Sequence, residues 1–62
     1  MLSKKYIEDY YKTRLLELQT AATTEDRHKA LDAIYSISVI AADQYGVEYA
    51  ESLRDRFYTE DC

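Results

Sequence analysis

Three side chains near the middle of the chain have the types and spacing that could bind an anion. Thr24, Arg27 and Lys29 bring a hydroxyl group and two positive charges together within six residues, and His28 lies between the two bases. If a helix begins at this point, its free N–H groups and the positive end of its dipole also favour negative charge. The stretch therefore predicts a candidate site for a phosphate group or a nucleotide.

A simpler role competes with anion binding at the same residues. Thr23 is suited to cap a helix that starts at the next residue, and Glu25 is four residues before Lys29, the spacing of a helical ion pair. The acids at positions 25 and 26 would also weaken an anion site. A bound nucleotide would need a stacking surface, for which Tyr10 and Tyr11 are candidates. We therefore rank the helix start first and the binding site second.

The sequence gives little support for catalytic residues. His28 and Cys62 are the only histidine and cysteine, and Cys62 is the last residue, so nothing holds a base beside a nucleophile. One histidine and one distant cysteine give no metal-ligand spacing. A single glycine, Gly46, cannot form a glycine-rich phosphate loop. We predict a protein that is not an enzyme and has no cofactor and no metal.

The residues above must be positioned by helices, because the chain has no proline and one glycine to mark turns between strands. The first predicted helix spans residues 4–20, with Ser3 as its N-cap and Leu2 packing against its first turns. Its apolar positions recur every three or four residues, which is typical of one buried helix face. They are Ile7, Tyr11, Leu15 and Leu18, with Tyr10 beside them.

Two more helices are predicted from the remaining signals. Thr23 opens the second, over residues 24–45, and Gly46 closes it in a left-handed conformation. The third covers residues 47–58, and the last four residues are expected to fray. Its apolar stripe is formed by Val47, Ala50, Leu53 and Phe57. The prediction is one small all-α domain over residues 1–62, a helical hairpin of two long helices with a shorter third.

The uncharged segment "AIYSISVIAA", residues 33–42, leaves an alternative open. Its alternation of Ser36 and Ser38 with β-branched residues also fits a strand, but a lone strand would have no partner. Interpreted as a helix, it is apolar around most of its circumference, as a central helix is. The inner face would comprise Ala30, Leu31, Ala33, Ile34, Ile37, Ser38, Ile40 and Ala41.

The opposite side of this helix predicts self-association. Tyr35, Val39 and Ala42 would remain partly uncovered by two short neighbours, and Ser38 is small enough to allow close helix approach. A chain of 62 residues buries too little surface to be more than marginally stable alone. We therefore predict a homo-oligomer, with a dimer favoured, that completes the fold.

Charge predicts a second surface. Residues 1–29 carry six basic and five acidic residues, whereas residues 30–62 carry two basic and seven acidic ones. The acidic half would repel nucleic acid and would suit a partner protein with a basic surface. The candidate residues for that contact are Asp43, Glu48, Glu51 and Asp55, together with the nearby Tyr45 and Tyr49.

Location follows from what the sequence lacks. No signal peptide precedes the first predicted helix, and no segment approaches the roughly 20 apolar residues that span a membrane. The single cysteine suits a reducing compartment. The expectation is a cytoplasmic protein that does not enter a membrane.

In its size, acidity and lack of catalytic residues, the chain resembles the small accessory proteins of early regions in bacteriophage genomes. The resemblance implies a regulator or inhibitor that acts by binding a host protein. The helical hairpin with its Thr/Arg/Lys turn is also loosely similar to phage proteins that sequester cyclic nucleotides. The leading hypothesis is a homo-oligomeric protein-interaction module, and the alternative is a small-anion or nucleotide binder.

Overall fold

The computed structural model describes residues 1–58, which form three α-helices. Helix α1 spans Lys4–Thr20, α2 spans Thr24–Tyr45 and α3 spans Val47–Phe57. These residues contain no strand, so the predicted all-α fold is confirmed and the strand alternative for residues 33–42 is wrong. The third helix ends one residue earlier than predicted. The predicted fraying of residues 59–62 lies outside the described residues.

Both long helices begin where a hydroxyl side chain can cap them. The Ser3 hydroxyl accepts a hydrogen bond from the Tyr6 N–H at 3.1 Å, and Thr23 accepts one from the Asp26 N–H at the same distance. Each bond satisfies one of the N–H groups that have no partner inside the helix. The two predicted N-caps are therefore confirmed, and Thr23 has the capping role that competed with anion binding.

A single residue joins α2 to α3. Gly46 donates its N–H to the Ala42 carbonyl at 2.9 Å, and its own carbonyl accepts from the Ala50 N–H at 3.2 Å. Its φ of 103° is positive, as predicted, but its ψ of 155° lies outside the left-handed helical region. This extended conformation is open essentially to glycine alone. It lets one helix follow the other without an intervening loop.

The core is small and centred on α2. Nine of the described residues are buried, and α2 supplies four of them because both other helices pack against it. They are Ile7, Tyr11, Leu15, Leu18, Ala30, Ile34, Ile37, Ala41 and Leu53. The whole predicted stripe of α1 is included. Half-buried tyrosines and Phe57 surround this cluster.

Two residues predicted for the inner faces are exposed instead. Val47 is 63% exposed and Ile40 is 37% exposed. Val47 starts α3 directly after Gly46, and its side chain lies on the flank of α3 that contributes to an open groove with α2. Of the predicted α3 stripe only Leu53 is fully buried, because α1 and α2 cover just one side of this helix.

An ion pair and a hydrogen bond fasten α3 to α1. Glu8 accepts from the Tyr49 hydroxyl at 3.0 Å and from Arg56 at 3.3 Å. Burial, followed by this hydrogen bond, raises the pKa of Tyr49 above its usual value. Along α1 itself Lys5 pairs with Asp9 at 2.9 Å, whereas Glu8 pairs with residues of α3.

Candidate functional site

The predicted anion-binding side chains do not line one cleft. Arg27 lines a small cleft of about 170 Å³ beside Leu15 and Phe57. Lys29 lines a different cleft, in which two acids of the same protein, Glu17 and Asp26, also lie. Thr24 is exposed in the first turn of α2, and neither cleft includes it. The three side chains therefore share no concave site, and Lys29 has acids beside it.

The tyrosines proposed to stack on a nucleotide are also engaged elsewhere. Tyr11 is buried in the core. The ring of Tyr10 stacks on Tyr6 with centroids 6.2 Å apart, and the Arg14 guanidinium lies 4.9 Å from its centroid. His28 is exposed and lies in neither cleft.

Two residues predicted for the partner surface are half-buried and form hydrogen bonds to Leu2 and to α1. The Tyr45 hydroxyl donates to the Leu2 carbonyl at 2.7 Å, and Tyr49 donates to Glu8. Their rings meet edge to face at 5.4 Å, and the Lys4 ammonium lies 5.1 Å from each ring centroid. The polar groups of both tyrosines are thus occupied within the chain, and these residues hold the N-terminal segment in place.

The predicted acids do remain outside. Glu48, Glu51 and Asp55 are exposed on α3 at spacings of three and four residues, so they form one row along the helix. Asp43 is exposed near the end of α2. The acidic part of the predicted surface is therefore present, without its two tyrosines.

A largely apolar groove of about 360 Å³ lies between α2 and α3. We call it the α2–α3 groove. One wall comes from α2, the other comes from α3, and Tyr11 of α1 lies between them. Its lining residues are Tyr11, Leu31, Ile34, Tyr35, Ser38, Val47, Ala50, Glu51, Arg54 and Tyr58.

The groove includes part of the surface predicted for self-association. Tyr35, which is 72% exposed, and Ser38 both line it. Val39 is 50% exposed and lies one helical turn beyond Tyr35. Ala42 is half-buried. The structure therefore brings Tyr35 and Ser38 into one concave site and leaves Val39 on its margin.

Ser38 shapes the groove without offering a free donor. Its hydroxyl donates to the Ile34 carbonyl at 2.8 Å within α2. The Tyr11 hydroxyl lies beside Ser38, and burial is the main cause that raises the pKa of Tyr11. The deep part of the groove is thus neutral, and its charges are at the margins.

Several residues of this site were not predicted for it. Among them, Val47 was predicted in the buried stripe of α3, Leu31 on the inner face of α2, and Arg54 in no role. One signal that points to Val47 is its position immediately after Gly46, since the first residue of a helix that follows a sharp turn has few neighbours to cover it. The spacing of residues along α2 does not indicate that Leu31 lies opposite α3.

Among residues 1–58, no three or more His, Cys, Asp or Glu residues cluster where they could hold a metal ion. No helix in that range is both long and apolar enough to cross a lipid bilayer. Compared with known proteins, the chain matches no family model, no curated protein and no solved structure. What the protein does must therefore be argued from the α2–α3 groove and its surroundings.

Proposed function

We propose that this protein is a small non-enzymatic protein-interaction module whose binding surface is the α2–α3 groove. The observation that carries the proposal is an apolar concavity open to solvent, with Tyr35 and Val47 exposed along it. Only nine of residues 1–58 are buried, so large apolar side chains left in water add nothing to a core that is already small. Exposed apolar surface bordered by polar residues typically marks an interaction site.

Tyrosine at this position adds support for binding. A tyrosine ring provides a large apolar contact area and a polar tip, and it loses few rotamers when it is immobilised. Tyr35 projects from the wall of the groove, unlike the tyrosines whose hydroxyls are bonded inside the chain. The phage-type regulator or inhibitor suggested by the sequence would act through such a surface.

A homodimer is the second candidate. Tyr35 and Val39 lie four residues apart on the exposed side of α2, so a second copy could cover both. The dimer would use the face that the sequence predicted and would add buried area to a small core. Light scattering at tens of micromolar decides between a mass of one chain and a mass of two.

The experiment that tests the function compares three variants in affinity capture from a lysate of the source cells. Tyr35→Glu and Val47→Glu place a charge in the groove. Leu16→Glu places the same charge at a residue that is 60% exposed on α1 and does not line the groove. We expect the wild type and Leu16→Glu to retain the same protein and the two groove variants to lose it. If all four chains retain the same proteins, the groove is not the binding surface.

A further inference from the structure

We infer that the partner for the α2–α3 groove is a cationic amphipathic helix of another protein, an assignment that rests on the proposed function. The dimensions of the groove, the groups that its walls offer and the charges along its margins all favour such a partner.

The dimensions suit a helix. On α2 the wall contains Leu31, Ile34 and Ser38, and on α3 it runs from Val47 through Ala50 to Arg54. Each wall therefore covers about seven residues, or about 10 Å and two helical turns. An amphipathic helix can place apolar side chains from successive turns into a groove of that length.

The walls offer only side chains for contact. Both walls are helices, whose backbone groups are bonded within the helix, and residues 1–58 contain no strand edge to which an extended peptide could add. The contact must therefore be made between side chains. Leu31, Ile34 and Val47 supply the apolar part of it.

The margins are acidic on both helices. On α2 the exposed row Asp32, Tyr35, Val39 and Asp43 has spacings of three, four and four residues, so a carboxylate lies at each end of the apolar pair. On α3 the exposed row is Glu48, Glu51 and Asp55. Of these five carboxylates, only that of Glu51 lines the groove, together with one basic side chain, Arg54; the other four lie outside the lining.

This charge pattern favours a cationic partner over a second copy. A two-fold contact would bring the same acidic rows of both chains together, and each chain has a net charge of −4. Like charges placed opposite each other oppose association, whereas Lys or Arg residues along the polar side of a partner helix would complement both rows. The apolar groove and its acidic margins thus select one class of partner.

The test uses the full chain and three synthetic peptides of about 15 residues, a length at which helices become stable enough to bind as such. The first has leucines on one helical face and lysines elsewhere. The second replaces every lysine by glutamate. The third keeps the composition of the first but shuffles the leucines off one face. Fluorescence anisotropy measures affinity, and chemical shift changes in amide NMR spectra locate the contact.

We expect the lysine peptide to bind at least about tenfold more tightly than either of the others, with an affinity that falls as salt screens the acidic rows. The shifts should centre on Leu31, Tyr35, Val47 and Ala50. Glu51→Lys should weaken binding about fivefold, as expected when an attraction at an interface margin becomes a repulsion. Glu25→Lys, the matched control at the far end of α2, changes the net charge equally and should leave binding unchanged.

Other outcomes would overturn the assignment in distinguishable ways. Equal binding of the shuffled peptide would show charge attraction without a helix-specific groove. Tighter binding of the glutamate peptide in the groove would keep the interaction module and replace its partner. A dimer that Tyr35→Glu dissociates, with no peptide bound, would identify a second copy as the occupant. A monomer that binds no peptide and loses no captured protein on groove substitution would remove the proposed function as well.

Discussion

One side of α3 packs against α1 and is the closed side. The other side borders the α2–α3 groove and is the open side. Tyrosines lie along both. On the closed side Tyr45 and Tyr49 donate to Leu2 and Glu8, and Lys4 covers their rings. On the open side Tyr35 projects into solvent beside Val47. Residue type alone therefore does not determine the role of a tyrosine in this protein. The helix that lies opposite a tyrosine decides whether it stabilises the fold or remains available to a partner.

The largest effect should come from the closed side. Leu53 is fully buried, so Leu53→Ala should lower the free energy of unfolding by about 3 kcal/mol through lost burial and a residual cavity. Val47→Ala, on the open side of the same helix, should change it by less than about 0.5 kcal/mol. Urea unfolding followed by circular dichroism measures both. Similar losses in the two variants would show that the groove side is also closed.

Gly46 sets the direction of α3 and so decides which side faces α1. Gly46→Ala should cost about 1–3 kcal/mol, because an L side chain is strained at its backbone conformation. An added Cβ would have no neighbour within 4 Å, so the cost is one of backbone strain alone. Asn, which tolerates left-handed helical backbone, should not restore stability since a ψ of 155° lies outside that region. Full recovery with Asn would contradict this account of the turn.

The two sets of tyrosines can be compared directly by removing one hydroxyl from each. Tyr49→Phe deletes the donor to Glu8 and should cost about 1 kcal/mol. Tyr35→Phe removes a hydroxyl that no residue within 1–58 binds and should leave unfolding within about 0.5 kcal/mol of the wild type. Thermal melts of the three proteins suffice. A larger loss of stability in Tyr35→Phe than in Tyr49→Phe would contradict the distinction between the two sets of tyrosines.

High pH should destabilise the protein through Tyr49 and Tyr11, with a smaller effect than the substitutions above. The folded-state pKa values of Tyr49 and Tyr11 are raised above the ordinary 10.0, mainly by burial. Their contribution to stability is therefore fully present below pH 10 and is lost as pH rises through the folded-state values. Melting temperatures should therefore fall as pH rises from about 10 through the folded-state values, and the fall should be shallower in Tyr49→Phe. An unchanged slope in that variant would remove Tyr49 from the cause.

Much of the fold was predictable, because its signals are local. Ser3 and Thr23 are the caps, Gly46 is the turn, and the four buried residues of α1 have the predicted spacing. Each of these depends on hydrogen bonds or side-chain positions within a few residues. The boundaries of α1 and α2 follow from them without any tertiary contact.

The candidate site was predictable only in part. The acids Glu48, Glu51 and Asp55 stay exposed because charged side chains are costly to bury, which the sequence alone implies. Tyr35 and Val39 were predicted to be exposed because two short neighbouring helices cannot cover every side of α2. The roles of Tyr49 and Val47 were not predictable, since each depends on which side of α3 packs against α1. The role of Tyr45 depends on its contact with Leu2, 43 residues away.

Three helices, their caps and the excess of apolar surface on α2 therefore follow from the order of the residues. Short-range periodicity and capping chemistry carry that information. The contacts of Glu8 with Tyr49 and Arg56 join residues more than 40 positions apart, so they depend on how the helices pack. These contacts hold one side of α3 against α1. The remaining apolar side chains of α2 and α3 then have no helix of residues 1–58 to cover them, and they form the α2–α3 groove.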